Sequence, residues 1–145
     1  MKRVAGLVVV GLAALTACAA SSSGAGPSLG AGSTPSLSSS CPAQTPLDPG
    51  PGAVTAAVSA AVATVPHRYP PQIDTTGFQV AKAYQADPSN GYGAIAFGLC
   101  GEVVGSRTVV VELSFPKMLP SADLSAGQLF LSRFPDGWKV WFQYH

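Results

Sequence analysis

The sequence predicts an α+β domain in which one helix packs on a four- to five-stranded antiparallel meander. Three observations carry that expectation. Charged and aromatic residues are confined to one part of the chain: after Arg3 the first charge is Asp48, and every aromatic lies between Tyr69 and Tyr144. Within that part, apolar residues recur with helical spacing before residue 66 and with a period near two from Phe78 onward. Turn-forming residues then punctuate the strand-like runs at short intervals. A small all-β sandwich or barrel with an accessory helix is the alternative arrangement of the same elements.

The first element in the chain is not part of a core. Met1-Lys2-Arg3 is a basic head, Val4 to Ala14 carries no charge, and Leu15-Thr16-Ala17-Cys18 follows. A basic head, a short apolar run and small residues before a cleavage point make a secretory signal over 1–17. The run is shorter than the roughly 20 helical residues needed to cross a bilayer. Leu15-Thr16-Ala17-Cys18 resembles the lipobox of bacterial lipoproteins. That resemblance implies a diacylglycerol thioether on Cys18, cleavage between Ala17 and Cys18, and an acylated Cys18 as the first mature residue. Membrane residence would then rest on the acyl chains, because loss of Lys2 and Arg3 leaves six basic against seven acidic side chains. Two acyl chains suffice for stable anchoring.

Residues 18–40 combine this cysteine with a linker. The 22 residues from 19 to 40 hold nine Ser, four Gly, four Ala and two Pro, with no charge. Such a composition buries nothing and is expected to span roughly 25 Å as a random coil. Gly26-Pro27-Ser28-Leu29-Gly30 fits G-x-S-x-G, but a nucleophile elbow needs a strand and a helix around Ser28, not a linker.

The folded domain is expected over 41–145. With Cys18 lipidated, Cys41 and Cys100 remain, and two thiols in an exported protein most often pair. Free buried thiols or a metal pair are the other possibilities. Pro51 to Val65 reads as a helix, with Val54, Val58, Val62 and Val65 on one stripe and Pro66 as its stop. Phe78 to Tyr84 alternates weakly and fits either strand or helix. Tyr92 to Val104 reads as a strand, with Gly105-Ser106 turning into a second strand, Thr108 to Phe115. Pro116 to Ala126 is a connection, and Gln128 to Phe134 and Trp138 to Tyr144 are strands joined at Pro135-Asp136-Gly137. On the last strand, period two puts Trp138, Val140, Phe142 and Tyr144 on one face and Lys139, Trp141 and Gln143 on the other. This order of helix and meander is similar to cystatin-like and NTF2-like domains, in which a curved sheet wraps a helix.

Composition also limits function. Charged residues make up 10% of the chain and the net charge is +1, too little basic surface for a nucleic-acid partner. Gly91-Tyr92-Gly93-Ala94-Ile95-Ala96 fits a dinucleotide-binding pattern, but such a pattern must open a helix, and Tyr92 onward reads as strand. The histidines are His67, in a loop-like context after the helix, and His145, the last residue. Asp48, Asp74, Asp87, Asp123 and Asp136 sit beside Pro, Ser, Thr or Gly and read as turn formers. No metal or cofactor is expected. Trp141 with Phe130 and Phe134 forms either a second small core under the Pro116 to Ala126 loop, the reading favoured here, or an exposed aromatic cluster, which is the candidate binding surface. The expected function is a lipid-anchored extracytoplasmic binding or interaction domain of the bacterial cell envelope, held to the membrane through Cys18. It would take a protein or a small apolar ligand. The alternatives are a structural envelope lipoprotein without a ligand and, more weakly, a hydrolase or transferase with a site near His67.

Overall fold

The computed structural model describes residues 41–120 and 123–145. The signal, Cys18, the linker and Ser28 lie outside the described residues. Within them the chain is α+β: two helices and one sheet of four antiparallel strands in the order β1-β2-β3-β4. The strands are β1 (Gln79–Gln85), β2 (Thr108–Ser114), β3 (Ala126–Phe134) and β4 (Gly137–Tyr144).

Helix α1 (Ala53–Arg68) lies on one face of the sheet, touching all four strands. Its buried line is Ala53, Ala57, Ala61 and Val65, not the expected valine stripe. Val54 and Val58 flank that line half-buried, and Val62 is 42% exposed. The reason is distance: a helix seated closely on a sheet puts its smallest side chains at the contact and its larger ones along the sides. Nor does Pro66 end the helix, which runs to Arg68. Proline there forgoes one hydrogen bond in the last turn. Burial of Val65 before it and Tyr69 after it keeps the segment in place. The Tyr69 ring meets Phe115 edge to face at 4.8 Å.

The segment expected to be the first long strand is a helix, α2 (Gly93–Gly105). Ile95, Phe97 and Leu99 alternate in sequence, which imitates a strand. But β1 and β2 pair directly with each other, Gln79 opposite Ser114 and Gln85 opposite Val109. The residues between them are therefore the connection of an adjacent antiparallel pair, and that segment satisfies its backbone internally as a helix. Gly105-Ser106 is accordingly a helix end: the Ser106 N–H donates to the Glu102 carbonyl at 2.9 Å. Gly101 breaks α2 with φ 73, a left-handed conformation that glycine adopts without a Cβ penalty.

Helix α2 covers the other face of the sheet, so Val110 of β2 and Phe130 of β3 are buried on that face as well. Val109, Val111, Leu113, Phe115, Leu129 and Leu131 form the core under α1. Val110, Phe130, Phe142, Ala86 and Ala96 form a second core under α2. Two bulges set which residues reach which core. One lies at Ala81, between Val80 and Lys82, and directs both Val80 and Ala83 toward α1. That bulge is why the Phe78–Tyr84 run alternates so weakly.

Candidate functional site

The second bulge builds the candidate site. On β4, Phe142 pairs with Phe130 and Val140 with Leu131, leaving Trp141 as an extra residue. The alternation expected from period two therefore reverses within the strand. Trp138 and Val140 pack against the α1 core, whereas Trp141, Phe142 and Tyr144 pack against the α2 core. Gln143, expected to share a side with Trp141, instead accepts a hydrogen bond from Arg68 Nε of α1 at 3.2 Å.

A strap of chain passes beside this bulge. Cys41 and Cys100 form a disulfide across 59 residues, with a Cα–Cα distance of 5.5 Å, tying the start of the domain to α2. From there the Leu47 N–H donates to the Arg133 carbonyl at 2.8 Å. Arg107 Nη1 donates to the Pro46 carbonyl at 2.6 Å, and Pro46 is buried. The strap is thus fixed at both ends. An open groove of about 250 Å³ lies between Pro42, Ala43 and Gln44 on one side and Lys139, Val140 and Trp141 on the other, with Phe134 also lining it.

The three aromatic candidates occupy different depths around this groove. Phe130 is fully buried and meets the Trp141 ring edge to face at 5.9 Å and Phe142 at 5.1 Å. It supports the site from beneath. Phe134 is 5% exposed and lines the groove together with half-buried Trp141. The Trp141 indole N–H is buried without a partner, a cost tolerated in few places. Lys139 supplies the one cationic group of the groove. It pairs with Asp136 Oδ2 at 2.5 Å and lies 6.0 Å from the Phe134 ring centroid. The hydrogen bond from Lys139 holds the Asp136 carboxyl below the usual carboxylate range. Pro42 and Gln44 carry no signal in the sequence, because the disulfide at one end of the strap and the hydrogen bonds at Pro46 and Leu47 at the other bring residues 42–44 to β4.

Other sequence candidates fall elsewhere. His67 is exposed in the last turn of α1 and makes no side-chain hydrogen bond or ion pair with a described residue. The aspartates cap turns: Asp48 Oδ1 accepts from the Gly50 N–H at 2.9 Å, Asp74 Oδ1 from Thr76 at 2.8 Å, and Asp87 Oδ1 from Ser89 at 2.8 Å. Side-chain and backbone hydrogen bonds from Thr76 and Ser89 hold the Asp74 and Asp87 carboxyls low. The glycine-rich stretch at Gly91 does follow a strand and open a helix, contrary to the sequence expectation. Its flanking strands are adjacent antiparallel partners, though, so the parallel βαβ unit that binds a dinucleotide is not formed. A polar group sits on the α2 side of the sheet, where Lys82, Glu112, Gln128 and Tyr144 are aligned across the strands. Gln128 is 3% exposed and its Oε1 has no partner. Burial, with Glu112 beside it, pushes the Tyr84 hydroxyl up to about 12.

Among the described residues, no three His, Cys, Asp or Glu side chains are grouped to hold a metal ion, and no helix is long and apolar enough to cross a membrane. Compared with models of protein families, with curated proteins and with solved structures, the chain matches none of them.

Proposed function

We propose that this chain is a lipid-anchored, extracytoplasmic domain of a bacterial cell envelope that holds a protein partner at the Trp141 groove. The anchor half rests on sequence: a basic head, a short apolar run and Leu15-Thr16-Ala17-Cys18 in that order. The binding half rests on one observation, the half-buried Trp141 lining an open, mostly apolar groove with Phe134 and Val140. An open cleft of about 250 Å³ falls below the roughly 300–1,000 Å³ typical of enclosed small-molecule sites. Meanwhile the α1 face is filled by side chains that are fully buried. Openness at the groove and close packing beneath α1 favour a partner's side chain over an engulfed apolar ligand.

Two measurements test the two halves. The mature protein's intact mass should correspond to a chain beginning at acylated Cys18, and Cys18→Ala should accumulate as an uncut or soluble precursor. A variant that is still processed and membrane-bound refutes the anchor. For the groove, a photo-crosslinking residue at exposed Gln44 should yield one discrete protein adduct in intact cells, absent when it is placed at exposed Ser59 on α1. The adduct should disappear in an Ala43→Asp background that retains the wild-type melting temperature, Ala43 being an exposed residue of the groove. Equal adducts at both positions, or none at Gln44, refute the binding half.

A further inference from the structure

Helix α2 is apolar on more of its circumference than the sheet can cover. Ile95, Ala96 and Phe97 pack onto the second core, while Leu99 and Val103, on either side of the break at Gly101, are 37% and 56% exposed. Glu102 is the only charged residue in the helix. Other large apolar side chains are also exposed, and Leu119 is more so at 74%. What separates Leu99 and Val103 from Leu119 is where the remainder of the chain attaches.

The 40 residues before the domain end at Cys41, and Cys41 is bridged to Cys100, between Leu99 and Val103 on the same helix. Whatever holds residue 18 therefore pulls on this corner of the molecule. A 22-residue Ser/Gly/Ala-rich tract reaches roughly 25 Å root-mean-square. Leu119 lies past the opposite end of β2, a strand of seven residues that itself spans roughly 23 Å. With the anchor in lipid, the α2 corner meets the membrane first and the Leu119 loop faces away.

We propose that the Leu99–Val103 face of α2 seats on the lipid surface to which the chain is tethered, with the Cys41–Cys100 bridge as its pivot. This inference rests on the lipid-anchor reading above. A second copy of the chain is a poorer occupant, because stable interfaces bury about 1,200–2,000 Å² and two aliphatic side chains supply a small part of that. A tethered surface needs no such area, since the tether makes the encounter intramolecular and effective concentration replaces intrinsic affinity. Shallow seating immerses Val103 and Leu99 and leaves Glu102 among hydrated headgroups. It also orients the domain.

The test uses the full, lipidated chain in vesicles of phosphatidylcholine with a minority of phosphatidylglycerol. An environment-sensitive fluorophore is attached through Val103→Cys, and in a separate variant through Leu119→Cys; both sites are exposed. The proposal expects a severalfold rise and a blue shift at 103 when the protein moves from detergent to vesicles, with Leu119→Cys unchanged. Emission at 103 that stays aqueous, in a sample whose mass shows acylated Cys18, overturns the seating and leaves the anchor standing. A mass without acyl chains on Cys18 overturns the anchor and the seating together. A blue shift at 103 that grows with protein concentration in detergent, before vesicles are added, identifies a second copy as the occupant and also overturns the proposal.

Discussion

A missing side chain sets the packing of α1 against the sheet at Tyr69. Gly127 of β3 faces α1, and a Cβ there would meet the Tyr69 hydroxyl, with the Tyr69 ring at 3.0 Å and Phe115 at 3.2 Å. Both rings are buried and packed edge to face, so neither has room to retreat. Gly127→Ala is expected to cost about 1–3 kcal/mol through overpacking, read as a lower denaturation midpoint. Adding Tyr69→Phe should recover part of that loss, because the hydroxyl is the nearest obstacle and is itself buried without a partner. A Gly127→Ala variant as stable as the wild type would contradict this packing. At the same scale, the aspartate turns were readable in advance. Asp48, Asp74 and Asp87 cap the backbone two residues on, a local interaction that needs no distant partner. The role of Gly127 was not readable, since Tyr69 is 58 residues away in the chain.

At the scale of elements, the strap and its disulfide hold the candidate groove. Bridging Cys41 to Cys100 closes a loop of 59 residues, a constraint worth about 4 kcal/mol in the chain-entropy account. Reduction, or Cys100→Ser, should lower unfolding stability by about that amount and shift tryptophan emission to the red as residues 42–44 leave Trp141. Unchanged stability on reduction would mean that the bridge does not constrain the fold. Elements also mark the limit of periodicity as a guide. Thr108–Phe115, Gln128–Phe134 and Trp138–Tyr144 were legible as strands. Tyr92–Val104 was not legible as α2, because short alternating apolar runs fit a buried helix equally well. A cue did exist in the Val109-Val110-Val111 run, which puts a valine on each face of β2 and so calls for cover at Val110 on the second face. The bulge at Trp141 left no mark in the sequence; it depends on the register between β3 and β4.

For the whole molecule, the sheet lies between two helices and carries a core on each face, with buried Tyr69 at one and half-buried Tyr84 at the other. Burial pushes the Tyr69 hydroxyl up to about 12, as it does Tyr84 on the opposite side. An unfolded tyrosine ionises near pH 10. Between about pH 10 and about 12 the unfolded chain therefore loses protons that the native protein keeps, and stability falls as pH rises. Unfolding midpoints should be level from neutral pH to pH ~10 and decline through that window, with a smaller decline in Tyr69→Phe. A flat profile across the window would show that neither hydroxyl is shielded.

By itself the sequence determined the α+β class, the lipobox pattern at Cys18, the pairing expected of Cys41 with Cys100, three of the strands and the aspartate turns. Each of these depends on composition or on neighbours a few residues apart. Tertiary structure alone decided that α1 rests on alanines, that Tyr92–Val104 forms a helix, that Trp141 stands out of register, and that Pro42–Gln44 face it across a groove. Those outcomes depend on which strands pair and which segments the disulfide brings together, and pairing over tens of residues leaves no local period to read.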